Sequence, residues 1–483
     1  MTTSTEYEAI VVGAGAIGPA IAVGLARQGR KVLLVERDWR EPDRIVGELM
    51  QPVGLRALRS LGMVQAINNI DATPVEGYTV FYEGQKVQIP YPFKADVAPY
   101  KPLKNCVFDG NDKVLDDSTL SRKVYEEGER EMGVSFEHGK YISNLRNIAK
   151  NEGLITPLEA TVTGIIQDQT GVHGVKVNLP NNEKREYRAA LTVVCDGIFS
   201  KYRKTLGESH VPTVNSGFIA LKLKDADVPV KYTGHVILGG SFSPVLVYQI
   251  TPTDTRMLCA YNGPKPPKDI KGYLQNEVLP NLPKELHPSV KEALKDQIKT
   301  HPNSYLPARQ NDIPGLLVIG DALNMRHPLT GGGMSVGLGD TILVLKLFEN
   351  IKNLADREAV NEALLEFHYE RKHLDTVVNV LSIALFSLFS ADSANLRILQ
   401  KGCFRYFQRG GDCVSIPVGF LSGLLPRPYL LTWVFFKVAF YSIACNFGDN
   451  GLVLLPWSII QIFTILFTAA AVFTPYLWKE FFN

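Results

Sequence analysis

The chain has 483 residues, with 51 Lys plus Arg against 49 Asp plus Glu and 45% apolar side chains. That length allows two or three packed units, and the near-zero net charge excludes the basic excess of a nucleic-acid-binding protein, so no nucleic-acid partner is expected. The six cysteines (Cys106, Cys195, Cys259, Cys403, Cys413 and Cys445) form no C-x-x-C pair and have no histidine cluster beside them, so neither a metal site nor a disulfide framework is expected, and reduced thiols suit the cytosol.

In chain order, the N-terminus reaches an apolar segment almost at once, without the basic start and apolar run of a signal peptide. Glu8 to Val12 predicts a short buried strand. Gly13-Ala14-Gly15-Ala16-Ile17-Gly18 follows, then a helix to about Arg27, then a second strand from Lys31 to Glu36. Strand, G-x-G-x-x-G, helix and an acid some twenty residues on make a dinucleotide site. Gly13 permits the tight turn, Gly15 lets backbone approach a pyrophosphate, and Gly18 allows close helix–strand packing. The helix N-terminus offers free N–H groups to phosphate, and Glu36 is placed to accept hydrogen bonds from a ribose. This motif alone does not separate NAD from FAD.

The polar stretch from Pro92 to Gly133 reads as a surface insertion. Thr192 to Arg203 (TVVCDGIFSKYR) is a strand ending in Asp196-Gly197, with Ser200 and Arg203 at helical spacing; it resembles the D-G motif of flavin hydroxylases. Ser216 to Asn262 alternates apolar and polar residues, which predicts strands of a mixed sheet. Leu316 to Asp321 (LLVIGD) is another buried strand, followed by Gly331, Gly332 and Gly333 and a helix from about Met334. It resembles the G-D motif of the same superfamily, whose Asp binds the ribityl chain of FAD. No second G-x-G-x-x-G follows a strand, so no separate NADPH domain is expected. Arg357 to Leu388 has helical periodicity. Tyr429 to Cys445 predicts an apolar helix interrupted by Lys437, and Trp457 to Thr474, between Pro456 and Pro475, predicts another. The second gives about 27 Å of helix against a hydrocarbon core of roughly 30 Å. Trp433, Trp457, Tyr476 and Trp478 are candidates for the membrane interface.

The strings ERDWREPDRIVGELMQPVG, Gly77-Tyr78, VQIPYP, HGKY with Leu145-Arg146, LTVVCDGIFSKYRK and GDALNMRHPLTGGGMSVGLGD together resemble the squalene epoxidase family over nearly the whole chain. The resemblance implies an α/β fold with a discontinuous Rossmann-type FAD-binding domain over residues 1–75, 134–210 and 305–350. It adds a mixed-sheet substrate domain over 76–133 and 211–304, and a helical membrane-associated region over 351–483. It implies that Ala16, Ile17, Glu36, Arg37, Arg44, Val162, Asp321 and Met334 contact FAD, and that Tyr78 and Gln51 form a pair near the flavin that serves activity. Lys140 stands where the family has Arg in H-G-R-F, and is the counterpart of that FAD contact. The implied reaction transfers one oxygen atom of O2, by way of a flavin C4a-hydroperoxide, to a terminal double bond of squalene, giving 2,3-oxidosqualene. The implied electron donor is an NADPH-dependent flavoprotein reductase in the same membrane. The implied location is the endoplasmic reticulum membrane, with the catalytic part facing the cytosol, and lipid droplets. Two other readings stay open on the residues alone: a related flavoenzyme acting on another isoprenoid, and a prenyl-binding escort protein without redox chemistry.

Overall fold

The computed structural model describes residues 7–98, 103, 129–239, 242–450 and 455–482. Its centre is a parallel sheet of five strands in the spatial order Leu316–Val318, Leu191–Val194, Ala9–Val12, Val32–Glu36 and Ile155–Glu159. The four strands other than Ile155–Glu159 are almost wholly apolar because that part of the sheet is covered on both faces, whereas the edge strand (ITPLE) is largely exposed. Ala9 and Val11 face one way, into the cluster built with the helices Gly18–Arg27, His138–Lys150 and Gly333–Phe348. Ile10 and Val12 face the other way, against a three-stranded antiparallel sheet formed by Thr161–Asp168, Gly171–Asn178 and Lys184–Arg188.

A second sheet of seven strands stands over the strand ends. Its order is Lys299–Tyr305, Thr213–Lys224, Asp254–Asn262, Val245–Gln249, Gly234–Leu238, Gly77–Tyr82 and Gln85–Pro90. All neighbours are antiparallel except Gly234–Leu238 with Gly77–Tyr82, so the sheet is mixed, as the alternating pattern predicts. Ile219, Leu221 and Leu223 face one core, while Phe218 and Ala220 face another, the period-two division of a sheet buried on both sides. Most of the polar stretch read as an insertion lies outside the described residues. Its base is fastened by a bridge between Phe93 and Arg130, whose guanidinium lies 3.7 Å from the Phe93 ring centroid.

The C-terminal part is helical. Arg357–Glu370 and Lys372–Ser390 are separate helices meeting at Arg371. Among the described residues, three helices are long and apolar enough to cross a membrane: Lys372–Ser390, Pro428–Asn450 and the segment Ile459–Phe482. The first is mostly buried in the protein; the other two are mostly not. Two sequence expectations need correction. Lys437 does not interrupt its helix, which runs unbroken from Pro428 to Asn450. Pro475 does not end the last helix, which runs 28 residues from Leu455 to Phe482, about 42 Å. Proline removes one backbone bond and crowds the carbonyl four residues back, but packing on both sides of Pro475 holds this helix: Phe473 stacks on Phe435 at 4.2 Å and Tyr476 meets Tyr305 edge-on at 5.1 Å. Tyr476 therefore faces the protein, whereas Trp433 and Trp478 are exposed; the Trp457 side chain lies outside the described residues.

One buried charge cluster ties these layers together. Arg371 contacts Asp340 of the Gly333–Phe348 helix at 2.6 Å and Asp375 at 2.5 Å, and all three are almost fully buried. Nearby, Glu480 of the last helix turn is also buried and accepts a hydrogen bond from Tyr305 at 2.9 Å. Removing one partner of such a cluster strands the others without solvent. Arg371→Leu is expected to cost about 3–5 kcal/mol of stability, read as a lower thermal midpoint of the detergent-solubilised protein; an unchanged midpoint would refute the ionic account of this joint.

Candidate active site

Between the ends of the parallel strands and the seven-stranded roof lies a cleft of about 1060 Å³. Its floor follows from the glycine turn. Gly13 has φ +100°, which favours glycine, and a Cβ on Gly18 would lie 1.8 Å from the Gly13 carbonyl oxygen. The Ala14 N–H donates to Glu36 Oε2 at 2.7 Å, fixing the carboxylate beside the turn. Gly13, Gly15, Ala16, Ile17, Glu36, Arg37, Arg44 and Val162 line this half of the cleft; Gly18 lies behind it as a packing residue.

The D-G and G-D segments close the middle. Ser200 and Arg203 do not share an α-helix as their spacing suggested: Ser200 lies before, and Arg203 opens, the single 3-10 turn Arg203–Leu206. Ser200 Oγ instead accepts from the Tyr202 and Arg203 N–H groups, and Arg203 donates to the Gly197 and Ile198 carbonyls at 2.8 and 2.6 Å, so the two residues bind the turn that carries Asp196. Gly197, at φ +80°, takes the left-handed conformation this turn requires. Asp321 sits on the single turn Gly320–Ala322 just after its strand and faces the cleft. Gly331 is at φ +62°, and a Cβ there would meet the Leu49 side chain at 2.8 Å. Gly333 and Met334 then present the N-terminus of the Gly333–Phe348 helix to the cleft.

The upper half is more apolar, lined by Tyr78, Leu246, Tyr248, Leu258 and Leu329. Glu48, at the cleft, is held by Arg256 behind the wall in a bidentate pair at 2.7 and 2.8 Å. The Tyr78 ring lies over Gly234, its cross-strand partner, where a Cβ would come within 2.8 Å of the ring. Gln51 does not line the cleft. It stands behind Tyr78 and donates from Nε2 to the Tyr78 oxygen and to the Thr330 carbonyl, both at 2.5 Å. Burial raises the Tyr78 phenol above its ordinary value and raises Tyr91 further, so both keep their protons at neutral pH. His138, at the floor, is pushed down to about 4 by burial, which leaves it uncharged.

The expected contact Lys140 is not at the cleft. Its ammonium pairs with Glu137 at 2.8 Å and Asp71 at 3.7 Å. Arg146 takes the position instead: it donates to the Ala14 and Arg40 carbonyls, each at 2.8 Å, and approaches Glu36 at 3.7 Å. The signal was present in the helical period. His138, Ile142 and Arg146 fall at steps of four on the buried stripe of the His138–Lys150 helix, and Lys140 falls off it. Leu49, Glu48 and Arg326 also line the cleft and were not singled out by motif.

The cleft suits a long, partly polar ligand. Asp196 Oδ1, His301 Nδ1 and Arg326 Nε belong to lining residues and are buried without a protein partner among the described residues. The family model described as squalene epoxidase matches residues 188–460. The chain is 57% identical to the squalene monooxygenase of Candida glabrata over 479 residues, covering 99% of this chain and 98% of that protein. It is 37% identical to the squalene monooxygenase of Mus musculus over 481 residues, covering 99% of this chain and 78% of that protein. The chain belongs to the squalene epoxidase family. Squalene epoxidases are FAD-dependent monooxygenases, and the fold agrees. PqsL of Pseudomonas aeruginosa, described as a probable FAD-dependent monooxygenase, superposes with TM-score 0.60 at 18% identity over 80% of this chain and 96% of that one. HpxO of Klebsiella pneumoniae, solved with FAD and uric acid, does so with TM-score 0.63 at 14% identity over 88% and 99%. At such identities the likeness is one of fold.

Arg146→Ala is expected to weaken FAD retention by about tenfold or more, the worth of roughly 1.4 kcal/mol, whereas Lys140→Ala changes it less than about twofold. Flavin absorbance after gel filtration at graded FAD concentrations reads both; the reverse ranking would return the role to Lys140.

Proposed function

We propose that this chain epoxidises a terminal double bond of squalene: squalene, O2, two electrons and two protons give one 2,3-epoxide and one water. The observation that carries the reading is a squalene epoxidase match on sequence, together with a cleft that joins a dinucleotide floor to an apolar roof. Bound FAD, once reduced, supplies the activation of O2. The chain supplies the rest. Gly13 and Gly15 admit the pyrophosphate, Arg44 offsets its charge, Glu36 takes the adenosine ribose, and Asp321 takes the ribityl chain. Ala16, Ile17, Arg37, Val162 and Met334 complete the contact. Leu246, Leu258 and Leu329 exclude water from the alkene, and Tyr78, held by Gln51, orients the site.

Electrons come from an NADPH-dependent flavoprotein reductase in the same membrane, a reading supported by the single dinucleotide fingerprint in the sequence. Tyr78→Phe is expected to lower turnover about tenfold or more with FAD still bound. The assay is mono-epoxide formation, by mass spectrometry, in purified protein with the reductase, NADPH and squalene. A full rate would remove Tyr78 from the mechanism; a flavin-bearing protein that oxidises NADPH without forming epoxide would remove squalene.

The membrane attachment is the C-terminal helix pair, which lies in the cytosolic leaflet of the endoplasmic reticulum, and of lipid droplets, rather than crossing. At the far end of the pair Asp449 contacts Lys401 and Arg405 at 2.8 and 2.9 Å, and in its middle Thr464 and Thr468 contact Asn395. All three partners belong to the Ala394–Gln408 helix, which also carries Arg397. A crossing pair would draw that helix into hydrocarbon, at about 2.5–3.5 kcal/mol per charged residue. The outward side offers Tyr429, Trp433, Phe463, Phe467 and Trp478 to lipid. An Asn-linked glycosylation acceptor inserted between Asn450 and Leu455 is expected to stay unmodified in cells; a glycan there would establish a crossing.

A further inference from the structure

The hydrogen bonds around Gln51 have a fixed polarity. The Thr330 carbonyl can only accept, so the Gln51 atom facing it is the amide nitrogen, and the other bonds follow. The two Gln51 N–H groups go to the Thr330 carbonyl and the Tyr78 oxygen. The Gln51 carbonyl oxygen can only accept, and its donor is the Tyr91 hydroxyl at 2.6 Å. Tyr91 has thereby spent its proton on Gln51, while Tyr78 has accepted one bond and still holds a proton to give.

That proton has two destinations. The Tyr78 and Tyr91 rings meet nearly perpendicular, at 82° and 6.1 Å between centroids, and the two hydroxyls interact. Tyr78 therefore donates either to the Tyr91 oxygen or into the cleft that its own side chain lines. A rotation about the phenol C–O bond exchanges the two and leaves both Gln51 bonds in place. Tyr91 is itself held firmly: it is fully buried, its N–H donates to the Glu76 carbonyl at 2.9 Å, and its carbonyl accepts from Arg130 at 2.8 Å. It does not line the cleft.

We propose that Tyr91 is a positioning residue for epoxidation: its hydroxyl, opposite the Thr330 carbonyl, clamps the Gln51 amide from its second side in the orientation that leaves the Tyr78 O–H free to be donated into the cleft. This rests on the role given above to Tyr78. Without the Tyr91 hydroxyl, the Gln51 carbonyl oxygen loses its buried donor; the Thr330 carbonyl still selects the N–H end, but the amide is held from one side only, and the bond that makes Tyr78 an acceptor and hence a donor to the cleft is no longer fixed. The donor then faces the reacting centre only part of the time, and oxygen activated there escapes as hydrogen peroxide instead of reaching the alkene.

The test uses the full chain in detergent with FAD, the reductase, NADPH and squalene. NADPH oxidation, epoxide and hydrogen peroxide are measured per bound flavin. Tyr91→Phe keeps the ring and is expected to lower kcat for epoxide about tenfold, with squalene KM unchanged and more peroxide per NADPH. In a Tyr78→Phe background the same change is expected to add less than about twofold, because its route of action is already cut. An equal tenfold loss in both backgrounds would make Tyr91 a packing residue and overturn the proposal, as would a native rate in Tyr91→Phe alone. A native rate in Tyr78→Phe would instead defeat the underlying reading of Tyr78. Rates per bound flavin keep these outcomes distinct from a loss of cofactor.

Discussion

Arg371 is the interaction on which the arrangement of parts depends. A guanidinium removed from water must be paired, and two carboxylates, on the Gly333–Phe348 and Lys372–Ser390 helices, meet it. The first of these helices begins at the cleft with Gly333 and Met334. The second carries Lys372, whose ammonium caps the Phe481 carbonyl at the end of the membrane-facing helix. Glu480, one residue earlier, reaches Tyr305 of the roof sheet. The last helix is thus fastened to the roof through Glu480 and to the Lys372–Ser390 helix through Lys372, and Arg371 in turn ties that helix to the floor helix. An anchor held this way cannot pivot freely, so the orientation of the membrane face and that of the cleft are set together.

The cleft itself arises from the discontinuity of the chain. Its floor needs backbone to come close to a ligand, and glycines at Gly13, Gly197 and Gly331 adopt the left-handed φ values that make this feasible. Its roof needs large side chains in fixed positions, and a sheet provides them at alternate residues. Tyr78 shows how narrow the tolerance is. It requires Gly234 opposite its ring, Gln51 from the segment before the Pro52–Ser60 helix, and the Thr330 carbonyl from the turn before Gly331. Three remote segments thus set one side chain, Gly234 at its ring, Gln51 at its hydroxyl and Thr330 through Gln51, as expected for a site that must be ordered before its substrate arrives.

The sequence made some of this readable and not the rest, for physical reasons. The strands Ala9–Val12, Val32–Glu36 and Leu191–Val194 are short apolar runs bounded by glycine or acid, which is local information. The floor motif was readable because backbone geometry selects glycine by type. Arg146 was harder: nothing in a motif distinguishes a buried arginine from a solvated lysine, and only the helical stripe separates it from Lys140. The continuity of the last helix through Pro475 was not readable at all, since the local cost of proline is overcome by contacts with Phe435 and Tyr305, which are distant in the chain. The polarity of the Gln51 network depends on a carbonyl 279 residues away.

The position of the membrane helices bears on how a hydrocarbon reaches the cleft. The apolar cluster under the cleft-facing side of the roof contains Tyr78, Leu246, Leu258 and Leu329. The same cluster continues through Phe389, Phe404, Phe407 and Val418 of the C-terminal helices, with Val438 and Tyr441 of the Pro428–Asn450 helix packed against it. Roof and anchor therefore share one apolar core. Opening a path through shared core needs side-chain movement but no hydration, whereas a path through the floor would pass Arg37, Glu36 and Arg44 and expose the chain of the substrate to charge and water. Trp433, Phe463, Phe467 and Trp478 are exposed on the outward face of the helix pair that shares this core with Tyr78, so an apolar path from that face to the cleft crosses no charged side chain of the floor.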